Sequence, residues 1–512
     1  MIFLCVLFAF SAIFLVFLLR SSRPRSKLPL PPGPKKLPLL GNLLQLPSER
    51  EWETYMKWSQ EYKSDIIHLN AAGTSIIVLS SVEAANDLLE KRSNKYSDRP
   101  PMPMVSDLMG WNIALGFMNY GHQWRTDRKL FHQALNARTV QNYHSQERAA
   151  CHELLRRLLQ DPSDIMEHLR HMAAQTIMLV AYGIDILPHD DPFVALAREA
   201  LHTVVIAGVP GRFFVDVIPA LKYMPDWLPG AGFKRLAKRW RRMLADMHDL
   251  PFAEAKRIIA SGNASNSFIA VSLNNTEGLM DREEEETVKR VAGNMYIGGA
   301  DTTVSVLGTF ILAMLANPEA QKKAQAEIDS VIDDGELPDF KDQESLPYVS
   351  ALVKEVLRWR SATPIAVPHY LSVEDEYKGC RLPAGSIVIS NAWAMLHDEV
   401  MYPDPYSFKP ERFLLDGVPN PAVSSPEVAF GFGRRVCPGR HMAQDSVWIN
   451  VVSILATFNI TKAVGDDRQV IEPTYEYYSG LITIPLPFKC SIKPRSKRAA
   501  DLIRANIGEG RL

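Results

Sequence analysis

The densest chemistry in this 512-residue chain lies in ten residues, Phe430-Gly431-Phe432-Gly433-Arg434-Arg435-Val436-Cys437-Pro438-Gly439. They set one cysteine in a glycine-punctuated loop, with Arg435 two positions before it. A cysteine thiolate is a soft, electron-rich metal ligand, and a haem iron held by one is pushed toward O–O bond cleavage. Gly431, Gly433 and Gly439 carry no Cβ, so the backbone can bend tightly there and approach a flat ligand. Backbone N–H groups aimed at the sulfur would stabilise the thiolate, and Pro438 would stiffen the turn. A lone cysteine in a loop is usually structural; the whole ten-residue pattern argues for a ligand.

The pattern F-G-x-G-x-R-x-C-x-G resembles the haem-binding loop of the cytochrome P450 superfamily, the haem-thiolate monooxygenases. The resemblance covers essentially the whole chain from its apolar N-terminal segment onward. It implies haem b (iron protoporphyrin IX) with Cys437 as the axial ligand, and O2 and NADPH as co-substrates. One oxygen atom would enter a C–H bond and the other would leave as water. The chain shows no G-x-G-x-x-G after a strand and has no room for a reductase domain. Electrons would therefore come from a separate NADPH–cytochrome P450 reductase, docking on a basic face near the cysteine to which Arg434 and Arg440 would contribute.

A second chemical signal is Gly298-Gly299-Ala300-Asp301-Thr302-Thr303, inside a long apolar helical run over 291–315. Paired glycines in a helix interior cost roughly 1 kcal/mol each relative to alanine. Close helix packing would justify them, and so would space for a ligand beside the backbone. Thr302 can hydrogen-bond to a carbonyl one turn earlier and bend the helix locally. Asp301 in an apolar helix is costly unless paired or functional. The hexapeptide resembles the family's oxygen-activation motif, which implies that Thr302 hydrogen-bonds to oxygen during its activation and that Asp301 relays protons.

Further charges fit the same picture. Glu355 and Arg358 form an i,i+3 pair that would ordinarily lie on a solvated helix face. The resemblance instead implies a buried network of Glu355, Arg358 and Arg412 bracing the cysteine loop, where charges are tolerable only when fully paired. The haem propionates call for arginine, histidine or indole donors. Matching to the family gives Trp124 and Arg128 of a W-x-x-x-R sequence, Arg435, and His369 in Pro364-Ile365-Ala366-Val367-Pro368-His369. By position, 104–117, Ala300, 363–367 and 478–482 would line the substrate pocket. Their apolar character implies a neutral, apolar substrate. The stretches 391–399 and 488–496 are similar to fungal members of secondary metabolism, so a terpenoid, polyketide or aromatic/indole compound is expected. A haem-thiolate isomerase or dehydratase needing no reductase is an alternative, as is a non-catalytic haem-binding membrane protein. The Asp301-Thr302 pair weighs against both.

These residues need a scaffold. Composition is 46% hydrophobic, enough for a core around a large cofactor. The net charge of −1 gives no reason to expect a nucleic-acid partner. Five scattered cysteines without a CxxC pair argue against a disulfide framework or zinc site and fit a reducing compartment. Residues 1–19 are apolar apart from Ser11 and would span about 28 Å as a helix. Arg20, Arg23, Arg25 and Lys27 follow, so a transmembrane signal-anchor in the endoplasmic reticulum, with the body in the cytosol, is expected over a cleaved signal peptide. On that topology the sequons at Asn263, Asn274 and Asn459 stay unmodified.

Residues 20–41 form a basic, proline-rich hinge, read as a semi-rigid strut. The monooxygenase domain is placed at 42–495 and a C-terminal tail at 496–512; a monomer is expected. Strand patterns occur at 66–69 and 75–79, an amphipathic helix at 82–91, and helical periodicity over 124–332 with breaks at 188–192 and 219–229. Strand signals return after about residue 364 and near 481–487. The fold class is mainly α with a small β region, the cytochrome P450 fold. The apolar segment 219–233 reads either as a buried loop or, by resemblance, as a lid that dips into the membrane through Trp227 and Phe233.

Overall fold

A computed structural model describes residues 28–209, 211–262, 266–274, 281–333 and 335–506. The expected anchor at 1–19 lies outside these. The helices of nine residues or more, in chain order, are α1 (Glu51–Glu61), α2 (His122–Leu135), α3 (His144–Gln160), α4 (Ile165–Ile177), α5 (Pro192–Ala207), α6 (Gly232–Ala260), α7 (Arg282–Ala316), α8 (Pro318–Val331), α9 (Pro347–Trp359), α10 (Arg440–Thr457) and α11 (Lys497–Ala505). The main sheet has four strands in the order β1 (Ile66–Ala71), β2 (Thr74–Leu79), β6 (Ile387–Ser390), β3 (His369–Tyr370). Pairing is antiparallel for β1–β2, parallel for β2–β6 and antiparallel for β3–β6. Hairpins β4–β5 (Asp375–Tyr377, Cys380–Leu382) and β7–β8 (Leu414–Leu415, Val418–Pro419) are small, and β9 (Phe458–Val464) pairs with β10 (Val470–Ile471) and β11 (Cys490–Pro494). The mainly helical class and the first two strands match expectation.

The 35-residue α7 is the axis of the molecule. It starts on a reciprocal cap between Asp281 and Glu284, with three glutamates in its first turn, where carboxylates offset the helix dipole. Among the described residues it alone is long and apolar enough to cross a membrane, but 72% of its apolar window is buried, so it is a core helix. Helix α4 packs along it, and the side chains of α3, α4, α7, α9 and α10 close the largest core around Leu155, Phe310, Leu352 and Trp448.

Three departures from the sequence reading have local causes. The helix over 82–91 begins regularly at Val82–Ala85 but widens into a π-helical turn over Asn86–Lys91. The expected strand at 481–487 forms no ladder, only the single bridge Tyr477–Pro485; Pro485 and Pro487 offer no N–H to extend it. Instead of a free strut, residues 28–41 are docked on the sheets. The His68 N–H donates to the Pro32 carbonyl at 2.9 Å, Arg381 N–H to Pro29, and the Asn42 amide to Pro34. A Cβ on Gly33 would lie 2.4 Å from the His68 carbonyl oxygen, so only glycine lets the strap approach β1. The tail beyond 496 includes α11, which buries Ala500 and Ile503.

The segment 219–233 is not a buried loop. Trp227 is 79% exposed, and Tyr223 (78%) and Phe214 (76%) stand out beside it, whereas Phe233 packs into the core.

Gly33→Ala is expected to detach the 28–41 strap while leaving the helical core folded. Limited proteolysis should then cut within 28–41 several times faster than in the parent, with thermal stability lowered by about 1–2 kcal/mol.

Candidate functional site

The cysteine loop is built from its own backbone. Cys437 N–H donates to Phe430 O at 2.7 Å, Val436 N–H to Gly433 O and Arg435 N–H to Phe432 O. Two glycines are required: Gly431 has φ +83° and Gly433 φ +54°. A Cβ on Gly433 would also sit 2.2 Å from the Leu89 carbonyl oxygen, so the loop is seated on the wide π-helical turn. Gly439 differs from expectation: its φ is −94°, open to any residue, and it simply precedes α10. Burial pushes the Cys437 thiol up, while the Gly439 N–H and the Arg128 and Arg440 charges pull it down. The positive end of α10 adds to that pull.

Around the cysteine stand donors in search of an acceptor. Trp124 on α2 is buried, and its Nε1 has no hydrogen-bond partner among the described residues. The Arg435 guanidinium lies 4.7 Å from the Trp124 ring and donates to the carbonyls of Ser97, Leu115 and Met118, three of five N–H groups. Burial lowers its pKa to about 10, and Arg128 repels it. Arg128, half-buried, is lowered mainly by burial and also by Arg440. His369 is buried, with Nδ1 2.8 Å from the Tyr96 carbonyl; since a carbonyl only accepts, Nδ1 carries the proton and Nε2 is the free nitrogen. Burial first, then Arg99 and Arg435, keep this ring neutral.

Sequence reasoning missed Arg99. It is 6% exposed and donates to the carbonyls of Gly116, Val367 and Pro368. Burial and Arg435 hold it well below the usual arginine value. No carboxylate among the described residues forms an ion pair with Arg99, Arg128 or Arg435. The signal available was Asp98-Arg99-Pro100 after an amphipathic helix, which spacing alone does not distinguish from a surface turn.

Helix α7 carries the second motif. It is buried at 287–288, 291–296 and 303–315, whereas 297–302 are only partly covered and Gly298 is exposed. The glycine pair divides two jobs. A Cβ on Gly299 would meet Ile177 at 2.5 Å, so this glycine serves packing against α4; one on Gly298 would meet nothing within 4 Å. Thr302 Oγ1 donates to the Gly298 carbonyl at 2.7 Å, as expected, in a helix that runs on unbroken. Burial raises the Asp301 carboxyl, and Arg170 and Arg198 draw it down.

Two further contacts, also unanticipated, hold the walls together. Buried Asp127 accepts both Nε and Nη2 of Arg290 at 2.7 Å, locking α2 to α7. Asn294 clamps the 111–118 loop, accepting from Leu115 N–H and donating to Ile113 O.

The Glu355–Arg358 pair is fully buried and bidentate, at 2.7 and 2.9 Å, rather than solvated. Arg412 Nε adds 3.1 and 3.2 Å contacts to the same carboxylate, and Lys409 N–H donates to it as well. The remaining guanidinium donors go to the carbonyls of Leu396, Pro403, Asp404 and Ser407. Every charge is satisfied. The network braces 396–412 directly and reaches the cysteine loop through the short helix Ala392–Leu396, which packs on 427–430.

A family match joins this geometry: the cytochrome P450 profile covers residues 31–492. The chain belongs to the cytochrome P450 family. It is 49% identical over 486 residues (94% of this chain, 93% of the relative) to cytochrome P450 monooxygenase 98 of Postia placenta. It is 44% identical over 487 residues (94% and 93%) to cytochrome P450 monooxygenase ple1 of Rhodocybe pseudopiperita. It is 41% identical over 474 residues (91% and 93%) to the tryptamine 4-monooxygenase of Psilocybe cyanescens. The protein is thus a monooxygenase, an oxidoreductase whose P450 chemistry implies a haem-thiolate cofactor and O2. The residues present fit that group: a half-buried thiol, an open stretch of helix at Gly298, and, among the described residues, arginines without a carboxylate ion pair and an indole N–H without an acceptor.

Glu355→Gln should leave Arg358 and Arg412 buried without their counter-charge, at a cost of about 3–5 kcal/mol. The expected outcome, read by calorimetry and haem content, is a protein that melts far lower and purifies largely without haem.

Proposed function

We propose that this cytochrome P450 hydroxylates a neutral, apolar small molecule of fungal secondary metabolism, with electrons delivered from NADPH by a separate membrane-bound reductase. The observation that carries the reading is the open backbone at Gly298, next to the Thr302 hydroxyl, in a chain whose Cys437 loop is held by Gly431 and Gly433. Bound haem supplies reductive activation of O2 and insertion of one oxygen atom into a C–H bond.

The chain's residues have separable roles in this reading. Cys437 is the thiolate ligand, its charge favoured by the Gly439 N–H, Arg128 and Arg440. Trp124, Arg128, Arg435 and Arg99 would hold the two propionates, with His369, which faces Arg99 and Arg435, as a further contact. Thr302 would offer to oxygen the hydroxyl that now donates to the Gly298 carbonyl. Asp301, with its carboxyl raised by burial, passes protons inward. Glu355, Arg358 and Arg412 act structurally. Apolar side chains of 104–117, among them Met104, Met109 and Trp111, close the substrate space and exclude water. The indole-related and terpenoid classes both suit this lining; the name of the Psilocybe relative supports the aromatic one.

Arg434, Arg440, Arg125 and Lys129 lie near the cysteine loop and on α2, and a basic face there suits an acidic reductase surface. The apolar segment before Arg20 and the exposed Phe214, Tyr223 and Trp227 support a body held on the cytosolic side of the endoplasmic reticulum membrane.

Microsomes reduced with dithionite under CO should give the red-shifted Soret band of a thiolate-ligated haem, and NADPH consumption should require added reductase. Cys437→Ser should remove both the band and turnover. Thr302→Ala should keep the band but lower product per NADPH by about tenfold or more. A normal band with product formed equally well without reductase would overturn the proposal.

A further inference from the structure

A second cluster of ligand-capable side chains lies where α3 crosses α10. His144 and Glu147, one turn apart at the start of α3, face Asp445 on α10. Their ligand atoms all lie within 4.8 Å of one another, and His144 Nε2 is 3.2 Å from an Asp445 oxygen. Glu147 is 1% exposed, yet neither carboxylate oxygen has a hydrogen-bond partner among the described residues. A buried carboxyl with both oxygens unsatisfied is among the costlier arrangements a core can hold. Neither haem binding nor oxygen activation calls for it.

We propose that His144, Glu147 and Asp445 bind a divalent metal ion, zinc being the fitting cation, which ties α3 to α10. Imidazole with carboxylate oxygens is a borderline donor set suited to zinc, with bonds of about 2.0–2.2 Å and neighbouring ligands roughly 3.3 Å apart. The His144–Asp445 separation already has that value. The widest separation exceeds it, so binding draws the Glu147 oxygens inward and gives them the partner they lack. The histidine ring is held in place by aromatic packing. It stacks on Phe340 at 3.6 Å and 14°, and Phe340 rests on Trp448 of α10. Supporting contacts of this kind fix ligand orientation.

A surface cleft of about 350 Å³, lined by His144, Phe340, His441, Gln444 and Asp445, gives an entry path. His441, one turn before Asp445, lines the same cleft. Because α10 begins three residues after Cys437, the ion would restrain the helix that carries the cysteine loop without touching the haem site.

The test uses the full-length holoprotein in detergent, stripped with a chelator and equilibrated with graded free zinc. Metal content is read by plasma mass spectrometry, with haem iron as the internal count of folded chains. The expected result is one zinc per haem, with affinity lowered at least about tenfold in both Glu147→Gln and Asp445→Asn. Both variants should keep the CO band. Zinc should raise the melting temperature of the parent but not of Glu147→Gln, and in chelator Glu147→Gln should melt no lower than the parent, since it removes an unsatisfied carboxyl. Zinc well below one per haem, or binding and melting shifts unchanged in both variants, would overturn the proposal.

Discussion

Arg435, two residues before Cys437, is crowded by the positive charges of Arg99 and Arg128, and this concentration of partly buried cations is the constraint around which the site is organised. Isolated buried cations are prohibitive. Here the cost is reduced by backbone carbonyls aimed at two of the guanidiniums, from Ser97, Leu115, Gly116, Met118, Val367 and Pro368. Dipoles soften the field but do not neutralise it. A dianionic ligand with a flat apolar body would. Loops from three distant parts of the chain converge on these arginines, so the charge cluster and the fold depend on one another.

The Glu355 network is the instructive contrast. It too gathers two arginines in the interior, but one carboxylate and four carbonyls consume their donors. Satisfied charges mark a brace; unsatisfied ones mark a place for something else. The same distinction separates Asp127, paired bidentately with Arg290, from Glu147, which has no hydrogen-bond partner among the described residues. The two cases lie on neighbouring helices.

Much of this was legible before any coordinates, because it rests on local spacing. The loop around Cys437, the Thr302–Gly298 bond and the Glu355–Arg358 pair each involve residues within a few positions of one another. What could not be read were contacts between segments far apart. Arg99 is one arginine among many until Val367 and Pro368 fold over it. Asp127 belongs to a recognisable motif, but its partner lies 163 residues away. Gly298 and Gly299 look identical in sequence, and only the approach of Ile177 separates packing from open space. The strand expected at 481–487 failed for a local reason that was available, the prolines at 485 and 487, which apolar patterning outweighed. Burial of the Glu355 pair came from resemblance rather than from its spacing, which fits a solvated helix face equally well.

The most direct measurement compares binding of haem and of its dimethyl ester to the refolded or haem-stripped protein, followed by the Soret band and by thermal melting. Charge-assisted hydrogen bonds are worth about 1.5–3 kcal/mol each, so the ester should bind about a hundredfold or more weaker and stabilise the fold correspondingly less. The difference should shrink when Arg99 and Arg435 are changed together to leucine. Equal affinity for haem and its ester would contradict the assignment of the arginine cluster as the seat of the two carboxylates.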